Sequence, residues 1–505
     1  MTAPVADVCL LLEGTYPYVS GGVSNWVHNL IRSLPDMTFS AVCILPDSRR
    51  EWPLKYDLPS NFIHHERLYL HEHGDIAQNS LRPRLPRLEK RLLDFHHRLA
   101  AGDTTGTNDI IEAFLPALAG RNAPSLHECM YGKAAWRMLL ESYQQHAAEA
   151  SFIDYFWTYR FTHLPLLKMF RYDIPKAKVY HAACTGYAGF LGVLAKMRHN
   201  RPLLLTEHGI YVKERKIEIT QADWIFSHAK KPTHIERDFG VFKKFWFSMF
   251  SMLGKITYDN CFKIITLYEG NRQSQIAGGA DPEKTLVIPN GIRLEVFQNL
   301  KEEAAPATGQ THFQVGFVGR VVPIKDVCTF IRACKIVSMR MPGRVSFFIL
   351  GPTDEDPEYF KECTELVHVL QLSDVITFTG SVDVRQYYKT LDLIVLTSIS
   401  EAQPLVLMEA NCVGIPVVAS DVGCCRDLLE GLPGADRQLG ASGVITKVAN
   451  PVETAEGIIR CLTDAPLRQS MIAAGRQRIA TYYNENDLTE KYWSLYTAGI
   501  EQGNV

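Results

Sequence analysis

The sequence predicts an α/β protein built from two doubly wound domains. Strand-length apolar runs alternate with helix-period patterns at both ends of the chain. A stretch rich in Lys, Glu, Ala, Pro and Gly, 301–311, separates the two alternations and reads as a linker. The second alternation is the more regular. Strands alternating with helices imply parallel sheets covered on both faces.

In chain order, Val5 to Leu12 is a strand run, followed by a loop, Glu13 to Gly22, rich in Gly, Pro and Tyr. Val23, Trp26, Val27, Leu30, Ile31 and Leu34 then fall on one face of a helix that Pro35 ends. Thr38 to Leu45 is the next strand. Residues 76–176 depart from the alternation and read as a helical insertion. The alternation resumes at Val179–Tyr180, with Leu203–Thr206 and Lys263–Thr266 as later strands. Beyond the linker the strand runs are Gln314–Val318, Val345–Leu350, Val375–Phe378, Leu393–Leu396 and Pro416–Ala419. Val327, Phe330, Ile331 and Cys334 are one of the helical patterns between them. The expected organisation is a domain over 1–300 carrying the insertion, a second over 312–480, and a final segment, 481–505. Doubly wound sheets bind ligands at the carboxyl ends of their strands, and two facing domains would place the site in the cleft between them.

Composition narrows the function. The 505 residues hold 53 Lys plus Arg against 55 Asp plus Glu, a net charge of −2, which excludes a general nucleic-acid binder. No apolar run reaches the ~18 residues needed to span a bilayer, and the first residues lack a basic leader pattern. The 12 cysteines show no paired metal-knuckle spacing, and Cys424 and Cys425 are adjacent, so reduced thiols are expected. The expected compartment is the cytoplasm.

Four groups of residues could carry chemistry. Gly21 and Gly22 lie between a strand and a helix, either as a tight turn or as a loop whose helix presents N–H groups to an anion. Arg320 and Lys325 stand in the loop leaving the first strand of the second domain, as solvated charges or as a fork and a point charge for a diphosphate. Glu401 and Glu409 bracket a predicted helix start. Pro404 suits its first turn, and the amides near Leu405 are open to a phosphate. A carboxylate here could accept bonds from vicinal sugar hydroxyls. His208 follows a strand end, a position open to a structural or a catalytic role. Asp354-Glu355-Asp356 raises a metal reading, weighed against a Pro-rich turn.

Together these residues resemble the retaining glycosyltransferases of the GT-B fold, family 4. The matching pieces are Gly21-Gly22, His208, Pro289-Asn290-Gly291-Ile292, Gly319-Arg320 with Lys325, Glu401…Glu409, the run Gly414 to Ser420, and a final stretch, Tyr482 to Tyr496, that in this family crosses back onto the first domain. Ala402 and Pro404 stand where many members carry glycine. The resemblance implies that Arg320 and Lys325 hold a nucleotide diphosphate and that Glu409 binds the ribose. It assigns the donor sugar to Glu401 and the backbone of Gln403, Pro404 and Leu405, and the region of the reacting carbon to His208. It implies a UDP-sugar donor, a polysaccharide acceptor, no cofactor and no catalytic metal, with a hexose or N-acetylhexosamine transferred to a growing exopolysaccharide. A catalytically silent nucleotide-sugar-binding scaffold and a nucleotide-sugar epimerase are the rivals. Export of such a polymer implies inner-membrane partner proteins. Two docking stretches suggest themselves, the basic segment Gln78–Ala100 and the aromatic run Phe239–Phe250 with its two lysines.

Overall fold

The structure, a computed structural model, describes residues 4–71, 86–119, 123–221, 240–301 and 311–503. Two doubly wound parallel sheets account for its strands, as the alternation predicts. The chain divides into one unit of residues 1–287 with 491–505 and a second of residues 288–490.

The first unit is a seven-stranded sheet with order β3-β2-β1-β4-β5-β6-β7. Its strands are β1 (Ala6–Glu13), β2 (Phe39–Leu45), β3 (Phe62–Tyr69), β4 (Ala177–Ala182), β5 (Leu203–Glu207), β6 (Lys263–Thr266) and β7 (Thr285–Val287). Every pairing is parallel. Central β1 reads Ala-Asp-Val-Cys-Leu-Leu-Leu-Glu, nearly continuous in apolar residues because both faces are covered. Helix α1 (Gly22–Ser33) follows the predicted face, burying Val27, Leu30 and Ile31. The insertion supplies α2 (Pro86–Ala101), α3 (Thr107–Ala119), α4 (Leu126–Tyr131), α5 (Lys133–His146) and α6 (Phe152–Arg171) between β3 and β4. Then come α7 (Tyr187–His199), α8 (Tyr211–Gln221), α9 (Val241–Asn260) and α10 (Glu269–Ala277).

Helix α9 decides one expectation. It buries Phe242, Phe245, Trp246, Met249 and Phe250, and Lys243 donates to the Thr220 carbonyl at 2.9 Å. The rings are core, so the aromatic run is no docking surface; Phe239 lies outside the described residues. Of the basic segment, residues 78–85 and the side chains of 86–89 also lie outside them. Arg98 is tied to Asp94 at 3.1 Å and to the Thr105 carbonyl at 2.9 Å. Linker residues 302–310 fall outside the described set as well.

The second unit is a six-stranded parallel sheet with order β10-β9-β8-β11-β12-β13. Its strands are β8 (Phe313–Val318), β9 (Val345–Leu350), β10 (Ile376–Gly380), β11 (Leu393–Leu396), β12 (Val417–Ser420) and β13 (Gly443–Thr446). Arg478, fully buried, donates to Asp436 at 2.6 Å and to the Leu429 carbonyl at 3.0 Å, closing the packing behind β13. The last helix, Glu485–Gln502, begins in the second unit and from Lys491 onward belongs to the first. There Tyr496 bonds His181 of β4 at 2.7 Å, and Tyr492 bonds Thr206 of β5 at 3.2 Å. All twelve cysteines are free. Among the described residues, no helix is long and apolar enough to cross a membrane.

Candidate functional site

In the second sheet the strand order reverses between β8 and β11, so the loops leaving these neighbours diverge and open a crevice at their carboxyl ends. Lys325 comes from the β8 loop and Glu401 from the β11 loop. Lys325 Nζ lies 2.5 Å from Glu401 Oε1, with the two side chains only 19% and 11% exposed. Ser398 Oγ donates to the same oxygen at 2.6 Å. Ser420 at the end of β12 donates to the Ser398 carbonyl at 2.6 Å, and Thr397 Oγ1 donates to the Asp326 carbonyl at 2.8 Å. Three adjacent strand ends therefore hold one carboxylate in place.

The predicted exposure of Lys325 is thus corrected: its charge is spent on Glu401. Arg320 remains the more open cation, paired at 2.7 Å with an exposed Glu355. Asp356 caps the helix Pro357–Val369 by accepting the Tyr359 amide at 3.0 Å.

The helix Leu405–Val413 starts one residue later than the proline predicted: Pro404 is its cap rather than its first turn. No side chain caps this helix, so its first-turn amides and positive dipole end are available to an anion. Gln403 is turned inward and accepts the Asn290 amide at 2.7 Å, tying the Pro289–Ile292 loop to the site and leaving only its backbone for a ligand. Glu409 accepts from Tyr388 at 2.7 Å, and burial pushes its carboxyl above the ordinary range against that bond.

Sequence reasoning missed Ser398, Tyr388 and Gly423. Gly423 has φ +55°, and a Cβ there would lie 2.3 Å from the Glu401 carbonyl oxygen. Only glycine lets this backbone support the Glu401–Ala402 loop, which the Cys424 amide also holds through the Ala402 carbonyl at 3.0 Å. A glycine beside two adjacent cysteines was the one visible sign.

The first sheet reverses between β1 and β4, and β1 ends on the half-buried Glu13. Glu13 accepts the Tyr187 amide at the start of α7 at 3.0 Å and the Tyr211 hydroxyl at 2.6 Å. Glu207, at the end of β5, accepts from Thr185, the Tyr211 amide, Tyr258 and Gln275 at 2.8–3.1 Å. Burial raises both carboxyls above the ordinary range; the strongest opposing bond is from Tyr211 for Glu13 and from Gln275 for Glu207. His208 follows. Its ring stands edge-on to Trp26 of α1 at 4.6 Å, and both ring nitrogens are buried without a partner. Burial pulls its imidazole down to about 4.

Gly21 and Gly22 sit where α1 begins, and neither occupies the left-handed region. Gly21 is extended, with φ 164°, and the left-handed glycine of this loop is Gly14, at φ +60°. The space a Cβ would take at either Gly21 or Gly22 is open.

A family model described as "Domain of unknown function (DUF3492)" matches residues 6–283, more than half of the chain, and one described as "Glycosyl transferases group 1" matches residues 299–478. The chain is 29% identical over 234 residues to the D-inositol 3-phosphate glycosyltransferase of Geodermatophilus obscurus, covering 44% of this chain and 49% of the relative. It is 26% identical over 328 residues to that of Thermobispora bispora, covering 62% and 69%. It spans about half the length of the curated relatives it matches first. Among solved structures, sucrose-phosphate synthase from Thermosynechococcus elongatus superposes with a TM-score of 0.58 at 16% identity, covering 97% of this chain and 98% of that one. Anabaena HepE in complex with UDP and glucose gives 0.57 at 14%, covering 97% and 99%. These likenesses establish the two-domain α/β fold of GT-B glycosyltransferases.

Proposed function

The chain belongs to the DUF3492 family, and on that premise we propose that it is a retaining glycosyltransferase that moves a hexose or N-acetylhexosamine from a UDP-sugar to a growing exopolysaccharide. The wording of Glu13–Val23 and Ser400–Leu405 resembles PelF, the cytosolic glycosyltransferase of the Pel exopolysaccharide system, and the polymer we propose is of that type. The match of residues 299–478 to the group 1 transferases and the bound UDP of the HepE structure support a UDP-sugar donor. Inner-membrane components of a polysaccharide synthase are the proposed partners of a cytoplasmic chain.

One observation carries the reading. At the switch point of the second sheet, a cation and a carboxylate from loops 76 residues apart in sequence meet beside a helix start with no side-chain cap. A diphosphate takes the Leu405 helix start together with Arg320 and a donor of Lys325. Glu401, held by Ser398, then presents its carboxylate to sugar hydroxyls, and Glu409 presents its own to the ribose. His208 serves the sugar near the reacting carbon. The bond from the anomeric carbon to the phosphate oxygen breaks, and that oxygen leaves with the electron pair. The acceptor hydroxyl oxygen bonds the same face, and its proton passes to the departing phosphate.

The test is UDP release from UDP-sugars with and without a saccharide acceptor. Acceptor-dependent release, with the anomeric configuration kept in the product, is expected. Binding without turnover identifies the scaffold, and interconversion of the donor without UDP release identifies the epimerase. Activity in excess chelator is expected to persist; abolition, with rescue by Mg²⁺ or Mn²⁺, would place a metal in the reaction.

A further inference from the structure

We infer that the first unit carries a second binding site, for a small ligand with two or more phosphate charges, at the end of its sheet opposite Glu13 and His208. Two cavities of about 1020 and 560 Å³ adjoin there and share Lys196, Asn200 and Asn260. They lie at the amino ends of β4 to β7, where α6, α7 and α9 finish. Nothing in the donor chemistry proposed above uses this end of the sheet.

The charge is one-sided. Arg171, Lys196 and Arg198 line the larger cavity, and Arg201, Lys263 and Lys284 extend the wall along the smaller one. Among the described residues, the only carboxylates lining the two are Glu112 and Asp173. Among the described residues, Arg171, Lys196, Arg198, Lys263 and Lys284 form no ion pair. Their recorded partners are almost all backbone carbonyls: Pro124 for Arg171 at 2.5 Å, Asn260 for Lys196 at 2.7 Å, Glu283 for Lys263 at 3.1 Å and Asp259 for Lys284 at 3.3 Å. The terminal nitrogens of Arg198 go to the carbonyls of Tyr172 and Phe170, while its Nε is buried without a partner.

Capping accounts for part of this pattern. Cations satisfy the last carbonyls of a helix and its negative dipole end. Four helix ends at about half an elementary charge each, that of the last helix at Gln502 included, with two carboxylates, offset roughly four of the six positive charges. The remainder is unbalanced, and burial already lowers the affinity of Lys196 and Arg198 for their protons. Donors also remain unused, since each ammonium has three and the recorded bonds of Lys263 and Lys284 use one apiece. Spread cations with spare donors, in a concave site walled partly by Leu115, Met197 and Phe262, suit a compact polyanion rather than a single carboxylate.

Titration calorimetry of the full chain with inorganic tripolyphosphate tests this site. The wild type is expected to bind. Lys263→Ser with Lys284→Ser should weaken binding at least about tenfold, the low end for charge-assisted bonds. The single substitutions Lys263→Gln and Lys284→Gln provide milder versions with the same expected direction. Arg320→Ala, in the other unit, removes a polyphosphate contact of the proposed donor site and should leave the lysine-dependent component of binding unchanged whether or not the transferase reading holds. Absence of binding, binding indifferent to the lysines, or loss of the lysine-dependent component through Arg320→Ala would overturn the inference. A second arm uses vesicles containing phosphatidate. Lysine-dependent vesicle binding without tripolyphosphate binding would show a membrane contact and overturn it too.

Discussion

Replacing Lys325 by Met should destabilise the second unit as well as weaken donor binding. The two partners meet at 2.5 Å with side chains 19% and 11% exposed. Breaking a fully buried pair costs about 3–5 kcal/mol, while an exposed pair contributes about 0.2–1. This pair lies between those limits, and Glu401 keeps its bond from Ser398, so about 2 kcal/mol is the expected loss. For a domain of this size each kcal/mol moves Tm by roughly 2–4 °C, giving a fall of roughly 4–8 °C. Glu401→Gln keeps an acceptor for Ser398 and should cost about 1 kcal/mol, the order of one hydrogen bond. The double variant should be no worse than Lys325→Met alone, because the second substitution removes a carboxylate already stranded. The coupling in this double-mutant cycle is therefore about 1 kcal/mol. Differential scanning calorimetry of the four proteins measures it. Additive single effects, or a Lys325→Met transition unmoved from wild type, would refute the claim that the cation's first task is to hold Glu401.

Three other outcomes follow from the same geometry. Glu409→Ala should weaken UDP and UDP-sugar alike by roughly 10–150-fold, from the ~1.5–3 kcal/mol of a bond to a charged group, while Glu401→Ala should leave UDP affinity nearly unchanged and lower only that for the intact donor; calorimetric titration separates the two. Gly423→Ala should cost more than the ~1–2 kcal/mol of left-handed strain alone, since its Cβ meets the Glu401 carbonyl oxygen, and donor binding should fall with Tm. His208 is held neutral by burial, down to about 4 against an ordinary ~6.5, so its contribution to stability is fully present above pH 6.5 and is lost as pH falls through 4. Tm of His208→Gln should therefore decline less steeply than wild type over that window, while the raised carboxyls Glu13 and Glu207 act with the opposite sign in both proteins.

The strands most legible in the sequence were those buried on both faces. Leu393–Leu396 and Lys263–Thr266 have the bounds their apolar runs suggest. Of the four edge strands only β10 was legible, as the predicted run Val375–Phe378. β3 reads Phe-Ile-His-His-Glu-Arg-Leu-Tyr, polar because one long side of an edge strand lacks a neighbour, and β7 is only three residues long. β13, an edge of the second sheet, opens on a glycine whose Cβ would strike the Val417 carbonyl. In the site, each cation and carboxylate could be named from its loop, but not who partners whom. The strand order that seats β8 beside β11 decides that Lys325 meets Glu401, and no local pattern encodes a neighbour 76 residues away. The same holds for Glu13, whose partners Tyr187 and Tyr211 lie 174 and 198 residues further on.

The protonation state of His208 bears on its proposed role. At neutral pH an imidazole held at about 4 carries no charge, so His208 cannot neutralise a diphosphate. It offers one N–H donor and one lone pair, both in search of a partner, which is what a sugar hydroxyl supplies in return. Glu207, with four donors from its own unit, is not free to turn to a ligand. On the proposed reading, charge compensation for a departing nucleotide falls to Arg320, which is exposed, and Lys325, which already faces a carboxylate it can share. A diphosphate drawing one Lys325 donor loosens the hold on Glu401 while the sugar's hydroxyls offer that carboxylate replacement donors. On the proposed reading, binding of the nucleotide and of the sugar is coupled through this one side chain, and loss of Lys325, more than of either glutamate, should touch stability, nucleotide and sugar at once.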